Sequence, residues 1–256
     1  MLAFIGGSGF NTFEGFQTER VELQQTPYAS EPVAITIGRL PQVAQPLCFL
    51  ARHGVGHTVP PHRINYRANL FALHQLQVSG IVAVNAVGGI HDNAGPGQLV
   101  VPDQIIDYTY GREHTFFDGS DTGLDSPDRF TASVAHVDFT EPYDARLRQC
   151  LTAAAARLGV AVFDRGVYGA TQGPRLETPA EVRRLQRDGC DIIGMTGMPE
   201  AALARELNIP YACIALSVNW AAGLSAQPIT MDAIRAVLAQ GMDDIRRILA
   251  DVAGHS

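Results

Sequence analysis

No apolar run in this 256-residue chain approaches the roughly 20 residues that a membrane-spanning helix needs, so no membrane partner is expected. The opening MLAFIGGSGF has no basic segment and only five residues before its first glycine, too few for a secretory signal, and it reads as a buried strand. Basic residues are outnumbered, 19 Lys and Arg against 26 Asp and Glu, for a formal net charge of −7. A general nucleic-acid surface, which needs a basic face to release counterions, is thereby excluded. The four cysteines, Cys48, Cys150, Cys190 and Cys213, are far apart and form no C-x-x-C pair. They are expected to be small, mostly buried side chains in a reducing cytoplasm. Gly6, Gly7 and Gly9 do not make a dinucleotide fingerprint, because Phe10, Asn11 and Thr12 break the G-x-G-x-x-G spacing. Nor is there a repeat, a linker or a low-complexity break, so residues 1–256 read as one domain.

What is present is an alternation of short apolar runs and helical periodicities. Strands are expected at Met1–Ile5, Val33–Ile37, Leu47–Leu50, Ile81–Ala86, Leu99–Ile106, Val160–Phe163, Gly166–Tyr168, Asp191–Gly194 and Tyr211–Val218. Leu70, Leu73 and Leu76 recur at helical spacing, with Gly80 expected to end that helix. Further helices follow at Leu147–Leu158, ended by Gly159, after the capping box Thr178-Pro179-Ala180-Glu181, and from Pro199 to Leu207. The last runs behind Thr230 with Ile234, Leu238, Met242, Ile245 and Leu249 on one stripe. Residues 110–140 are polar, aromatic and poorly periodic; a loop that long inside a compact domain is usually functional or part of an interface. The pattern predicts an α/β fold with a central mixed, largely parallel sheet flanked by helices.

The chemistry concentrates at predicted strand ends. LARHGVGHTVPPHRINYRAN, residues 50–69, sets Arg52 and His53 directly after an apolar strand, with Arg63 as a third basic group beyond Pro60 and Pro61. A loop of that kind at a strand end suits an anion. His53, His57 and His62 are no metal site, since glycines and prolines forbid a helix and no Cys or carboxylate joins them. Ser8, in its glycine loop, adds a hydroxyl to a potential phosphate nest. The Asn85-Ala86 turn is a second strand end with amides to offer, and Thr196 precedes a helix N-terminus, where an anion is favoured. Glu177 lies just outside the capped helix, and Asn219 ends the most apolar strand. Each has a plainer reading alone: a solvated charge for Arg52, a turn for the glycines, an exposed loop carboxylate for Glu177, a turn former for Asn219.

Taken together and in order, IGGSGF, LARHGVGHTVPPHRINYRAN, PGQLVVPDQIID, FFDGS, AHVDFTEPY, GPRLETPAE and GMTGMPEAALA resemble the methylthioadenosine and purine nucleoside phosphorylase family of trimeric type, over nearly the whole chain. The resemblance implies phosphorolysis of a purine nucleoside, with inorganic phosphate as co-substrate, no metal or redox cofactor, and a homotrimer. It implies phosphate binding by Ser8, Arg52, His53, the backbone of Ala86, and Thr196. Met195 would lie under the ribose, Leu176 would stand where the family has a phenylalanine against the base, and His136 would reach the neighbouring subunit's sugar site. Catalytic roles fall to Asn219, Glu177 and His53.

At the base the chain departs from the methylthioadenosine phosphorylases, which carry aspartates at the positions of Asn219 and Ala221 and lack a glutamate at Glu177. Glu177 and Asn219 resemble the residues of phosphorylases for 6-oxopurines. The chemistry agrees, because hypoxanthine offers an N1–H donor and an O6 acceptor where adenine offers an N1 acceptor and a 6-amino donor. At the other end of the substrate, Ile229, Met231 and Ile234 present no donor for a 5′-hydroxyl and suit a methylthio group. The expected substrate is therefore methylthioinosine. An inosine/guanosine phosphorylase, a methylthioadenosine phosphorylase, and a nucleotide-binding module without catalysis remain as alternatives.

Overall fold

A computed structural model describes residues 1–10, 15–54, 56–119 and 134–255. Asn11 and Thr12, the end of FFDGS and the middle of the 110–140 stretch lie outside the described residues. In chain order the elements are strands β1 (Leu2–Gly6), β2 (Gln17–Gln24), β3 (Val33–Arg39) and β4 (Leu47–Ala51), helix α1 (Tyr66–Gln75), then β5 (Gly80–Gly89), β6 (Leu99–Val100) and β7 (Gln104–Asp107). The second half runs α2 (Ala145–Arg157), β8 (Val162–Phe163), β9 (Val167–Ala170), α3 (Pro179–Arg187), β10 (Ile192–Gly194), α4 (Gly197–Glu206), β11 (Tyr211–Trp220) and α5 (Met231–Gly254).

These strands form one 11-stranded mixed sheet, in the order β2-β3-β4-β1-β5-β10-β9-β7, with β11 beside β5 and carrying β6 and then β8. The alternation of side chains along the central strands builds two apolar layers. Ile5, Leu50 and Ala83 face Leu70 and Leu73 of α1 and Leu203 of α4. Their sequence neighbours Phe4, Phe49 and Val82 face Leu151 of α2 and Ile245 and Leu249 of α5. The central strands are thus buried on both faces, which is why they read as continuous apolar runs. Among the described residues no helix is long and apolar enough to cross a membrane.

One edge of β5 is divided between two partners. Its first half pairs with β1 in parallel, Leu2 with Gly80 through Ile5 with Ala83. Its end pairs with β10 antiparallel, through Ile193 with Gly88 and Ile192 with Gly89. Between them, residues 84–87 face no strand on that edge, while β11 covers the other edge. This break is what positions the site.

Three local expectations are corrected. The helix expected to run to Gly80 ends at Gln75, because Gln77 itself takes the left-handed conformation (φ 52°) and Val78 N–H reaches back to Leu73 O; Gly80 opens β5 instead. Leu99–Ile106 is two strands, parted around Pro102, which has no N–H to donate; β6 pairs with β11 and β8, whereas β7 pairs with β9. Strand β2 was not expected at all. QTERVELQ is an edge strand exposed over most of its length, and its short apolar alternation, Val21 and Leu23, lies on the exposed side rather than in the core. The capping box at Thr178 and the Thr230 cap form as the sequence predicts.

Candidate active site

The break in β5 opens into a cleft of about 690 Å³. The ends of β1, β4, β5, β10 and β11 converge on it, with α5 across one side. Ser8, Arg52, His53, Ala86, Leu176, Glu177, Met195, Thr196, Asn219, Ala221, Met231 and Ile234 all line it. His136 does not; it is exposed and lies outside the cleft of its own chain. Arg63 is exposed and is likewise not part of the lining.

The anion end is built on the glycine turn after β1. Phe10 N–H donates to Gly7 O with Gly9 in the left-handed region (φ 79°), which leaves Ser8 at the cleft. A Cβ on Gly7 would meet Val84 O at 2.5 Å and Arg52 Nη1 at 2.9 Å, so only glycine lets the turn close against β5. Val84 O accepts Arg52 Nη1 across the break at 3.1 Å. Residues two apart on a strand aim their main-chain groups at the same edge, so the N–H of Ala86 faces the same opening.

Arg52 is less free than its sequence position suggests. Its guanidinium is fully buried and makes a bidentate pair with Glu200 of α4, Nε to Oε2 at 2.6 Å and Nη2 to Oε1 at 2.7 Å. Burial opposes the charge on Arg52, but Glu200 more than offsets it and holds the arginine pKa above its usual value. Nη2 also approaches Asn85 Oδ1 at 3.4 Å. Of the five guanidinium N–H groups, one on Nη1 is then left for a ligand. Asn85 passes the order on: its Nδ2 donates to Thr196 Oγ at 2.9 Å and to Tyr168 Oη at 3.2 Å. Thr196 is the N-cap residue of α4 yet makes no capping bond, so its own hydroxyl hydrogen is available to an anion.

His53 is corrected from a near-cationic group to a neutral one. Burial pushes its pKa down to about 4, helped by Arg52 and His57 and resisted by the bond to Val59 O. Nδ1 must carry the hydrogen in that 2.8 Å contact, since a carbonyl only accepts, which leaves Nε2 as an acceptor suited to a protonated phosphate oxygen. Its ring lies 4.2 Å from that of His57, whose Nε2 is 3.3 Å from Ser8 Oγ. The anion end therefore consists of hydroxyls, a main-chain amide, a helix N-terminus and a charge-compensated arginine, rather than a patch of free cations. Among the described residues no cluster of three or more His, Cys, Asp or Glu could hold a metal ion.

At the far end, Glu177 is half-buried, and its Oε1 accepts the Thr171 hydroxyl at 2.6 Å. That bond fixes the carboxylate and leaves Oε2 to a ligand. Asn219 sits after a bulge in β11, where the register shifts between Ser217 and Asn219. Its Nδ2 donates to Trp220 O at 2.7 Å, which orients the amide with one N–H and the Oδ1 remaining. Beside it, a Cβ on Gly88 would lie 3.4 Å from Nδ2. Ile229, Met231, Ile234 and Leu238 form an apolar wall at the start of α5.

Sequence reasoning missed Glu200, Asn85 as a side chain, and His57 as part of the cleft. The signal for Glu200 was available: it is the lone charge in an otherwise apolar GMPEAALA, and a lone buried charge implies a partner.

A model of the phosphorylase superfamily matches residues 2–253. The chain belongs to this superfamily. A phosphorylase-superfamily relative from Pseudomonas syringae pv. tomato, named probable S-methyl-5′-thioinosine phosphorylase, is 50% identical over 256 residues, 100% of this chain and 99% of the relative. The 6-oxopurine nucleoside phosphorylase of Pyrococcus furiosus is 44% identical over 248 residues, 97% of this chain and 90% of that one. Methylthioadenosine phosphorylase from Schistosoma mansoni, solved in complex with adenine, superposes with a TM-score of 0.91 at 31% identity, covering 98% of this chain and 90% of that one. The superfamily expectation drawn from the sequence motifs is thus met across the full fold.

Proposed function

We propose that the protein cleaves S-methyl-5′-thioinosine with phosphate, giving hypoxanthine and 5-methylthioribose 1-phosphate. The observation that carries this reading is one cleft with three distinct walls: anion donors at the β5 break, the Glu177 and Asn219 pair where β9 leads to α3 and β11 ends, and an apolar start to α5. The names of the Pseudomonas syringae and Pyrococcus furiosus relatives support a 6-oxopurine substrate, and the first also supports the methylthio group.

The proposed chemistry follows from the donors. Ser8, Thr196, the Ala86 amide and the remaining Arg52 N–H hold phosphate, with His53 accepting its proton. The bond to the base loosens ahead of attack, giving an oxocarbenium-like sugar over Met195. Glu177 Oε2 accepts N1–H of hypoxanthine, and the remaining Asn219 N–H donates to N7 as negative charge develops on the leaving purine. Burying the methyl of the substrate against Ile229, Met231 or Ile234 is worth on the order of 1 kcal/mol. Ala221 replaces a larger polar side chain beside the base. Leu176, partly exposed, packs where an aromatic ring would stack, and His136 would serve the sugar site of a neighbouring copy in a homotrimer.

The deciding experiment is base release from methylthioinosine with and without inorganic phosphate. Strictly phosphate-dependent release supports the reading, and equal release in its absence would mean water is the nucleophile. Asn219→Ala is expected to lower turnover by ~10² to 10³, the usual effect of removing one transition-state donor. Near-normal turnover on the same substrate would remove Asn219 from the mechanism.

A further inference from the structure

Arg112 lies in the poorly periodic stretch after β7, where neither its spacing nor the resemblance gave it a role. It is nevertheless buried. Its guanidinium donates to three separate pieces of chain: Nε to Gln172 Oε1 at 3.1 Å, Nη2 to Gln172 O at 2.9 Å and Thr171 O at 3.3 Å, Nη1 to Met198 O at 2.6 Å and Met195 O at 2.9 Å, and Nη1 to Tyr66 Oη at 3.2 Å. Among the described residues no carboxylate pairs with it. All the acceptors are neutral, and most are main-chain carbonyls that side-chain substitution cannot alter.

Apart from Tyr66 on α1, those acceptors belong to two arms of the cleft. Thr171 holds the Glu177 carboxylate through its hydroxyl, so residues 171–172 are the root of the base arm. Met195 and Met198 flank Thr196, so they are the root of the anion arm. We infer that Arg112 is the positioning residue that fixes the distance between the base carboxylate and the phosphate donors, by bonding the roots of both arms through one rigid planar group. This rests on the functional reading above only in treating the two arms as binding the two reactants.

The geometry makes the fork matter rather than the charge. A lysine at this position could keep the charge but offers three donors from one point, which cannot span acceptors on both arms. Misplacing two reactants by about 1 Å costs on the order of 10²-fold in rate even when each still binds. A loss confined to the transition state lowers kcat and kcat/KM together and leaves KM unchanged.

The test compares Arg112→Lys and Gln172→Ala with the unaltered protein, each first shown to be folded by a cooperative thermal transition. Kinetics use whichever methylthio nucleoside the unaltered protein turns over fastest. Arg112→Lys is expected to lower kcat by ~10², with the KM values for nucleoside and phosphate within about threefold of the original. Gln172→Ala, which removes one acceptor and leaves the main-chain bonds, is expected to lower kcat about tenfold in the same pattern. The inference is overturned if Arg112→Lys keeps the original kcat, if activity falls only in proportion to the folded fraction, or if KM for phosphate rises while kcat holds. Should Arg112→Lys fail to fold, the Gln172→Ala split between kcat and KM decides the matter. Failure of the functional reading shows separately, as phosphate-independent or absent turnover by the unaltered protein.

Discussion

At saturating phosphate the protein is expected to use methylthioinosine with a kcat/KM ~10⁴ greater than methylthioadenosine, the ratio reached when a wrong substrate leaves buried polar groups unpaired. The source is the Glu177 carboxylate, already held at Oε1 by Thr171. Hypoxanthine would give Oε2 a hydrogen from N1; adenine would oppose it with a lone pair. Asn219 adds to this, because its Nδ2 is held by Trp220 O and keeps one N–H for the purine, and exchanging the places of its nitrogen and oxygen would lose that bond. Glu177→Gln supplies both a donor and an acceptor and is expected to compress the ratio to roughly 10² or less, chiefly by improving methylthioadenosine. The measurement is initial rates of both nucleosides for both proteins. A ratio below ten in the unaltered protein would take base selection away from Glu177. The contrast at the sugar should be milder, since a methyl-sized apolar difference is worth only ~10 to 200-fold.

The largest effect on stability is expected from Glu200→Ala. Removing one member of a fully buried ion pair strands the other charge, which costs about 3–5 kcal/mol. Here Arg52 would keep only Val84 O and the long contact to Asn85, and Tyr211 Oη would lose its 2.8 Å acceptor. Equilibrium unfolding in urea reads this directly, and a loss under about 1 kcal/mol would show that the pair is not needed for folding. Replacing both partners by apolar residues of similar size, Arg52→Met with Glu200→Leu, is expected to restore much of the stability, because no charge is then left unpaired. That double variant should remain unable to bind phosphate normally. The two results together separate what Arg52 does for the fold from what it does for the anion.

The strand ends were legible in the sequence because an apolar run that stops at glycine or a polar residue marks both a strand and its exit. Ser8, Arg52, Thr196 and Asn219 were found that way, and the structure brings them to one cleft; Asn85 and Ala86, expected at a turn, lie instead inside β5, on the stretch with one unpaired edge. What was not legible was who restrains whom. Arg52 and Glu200 are 148 residues apart and meet only because the fold packs α4 against α1 and β11. Local pattern carries no information about such a pairing, so the arginine read as a free cation. His53 misled in the same way: its ring is neutral because it is buried, and burial belongs to the fold rather than to the residue. Arg112 was hidden because it sits in a stretch without periodicity, and β2 because its apolar alternation is short and exposed.

The divided edge of β5 gives the two reactants unequal evolutionary footing. On the proposed reading, phosphate would meet a main-chain amide at Ala86, beside a turn that tolerates only glycine at Gly7 and a strand whose partners are fixed on either side of the break. Proline alone, having no N–H, would remove that amide hydrogen. The base, by contrast, would meet side chains: Glu177 on a loop, and Asn219 and Ala221 at and just past the end of β11. On that reading, a change of purine would need new side chains at these three positions only, while the main-chain part of the phosphate site would stay as it is.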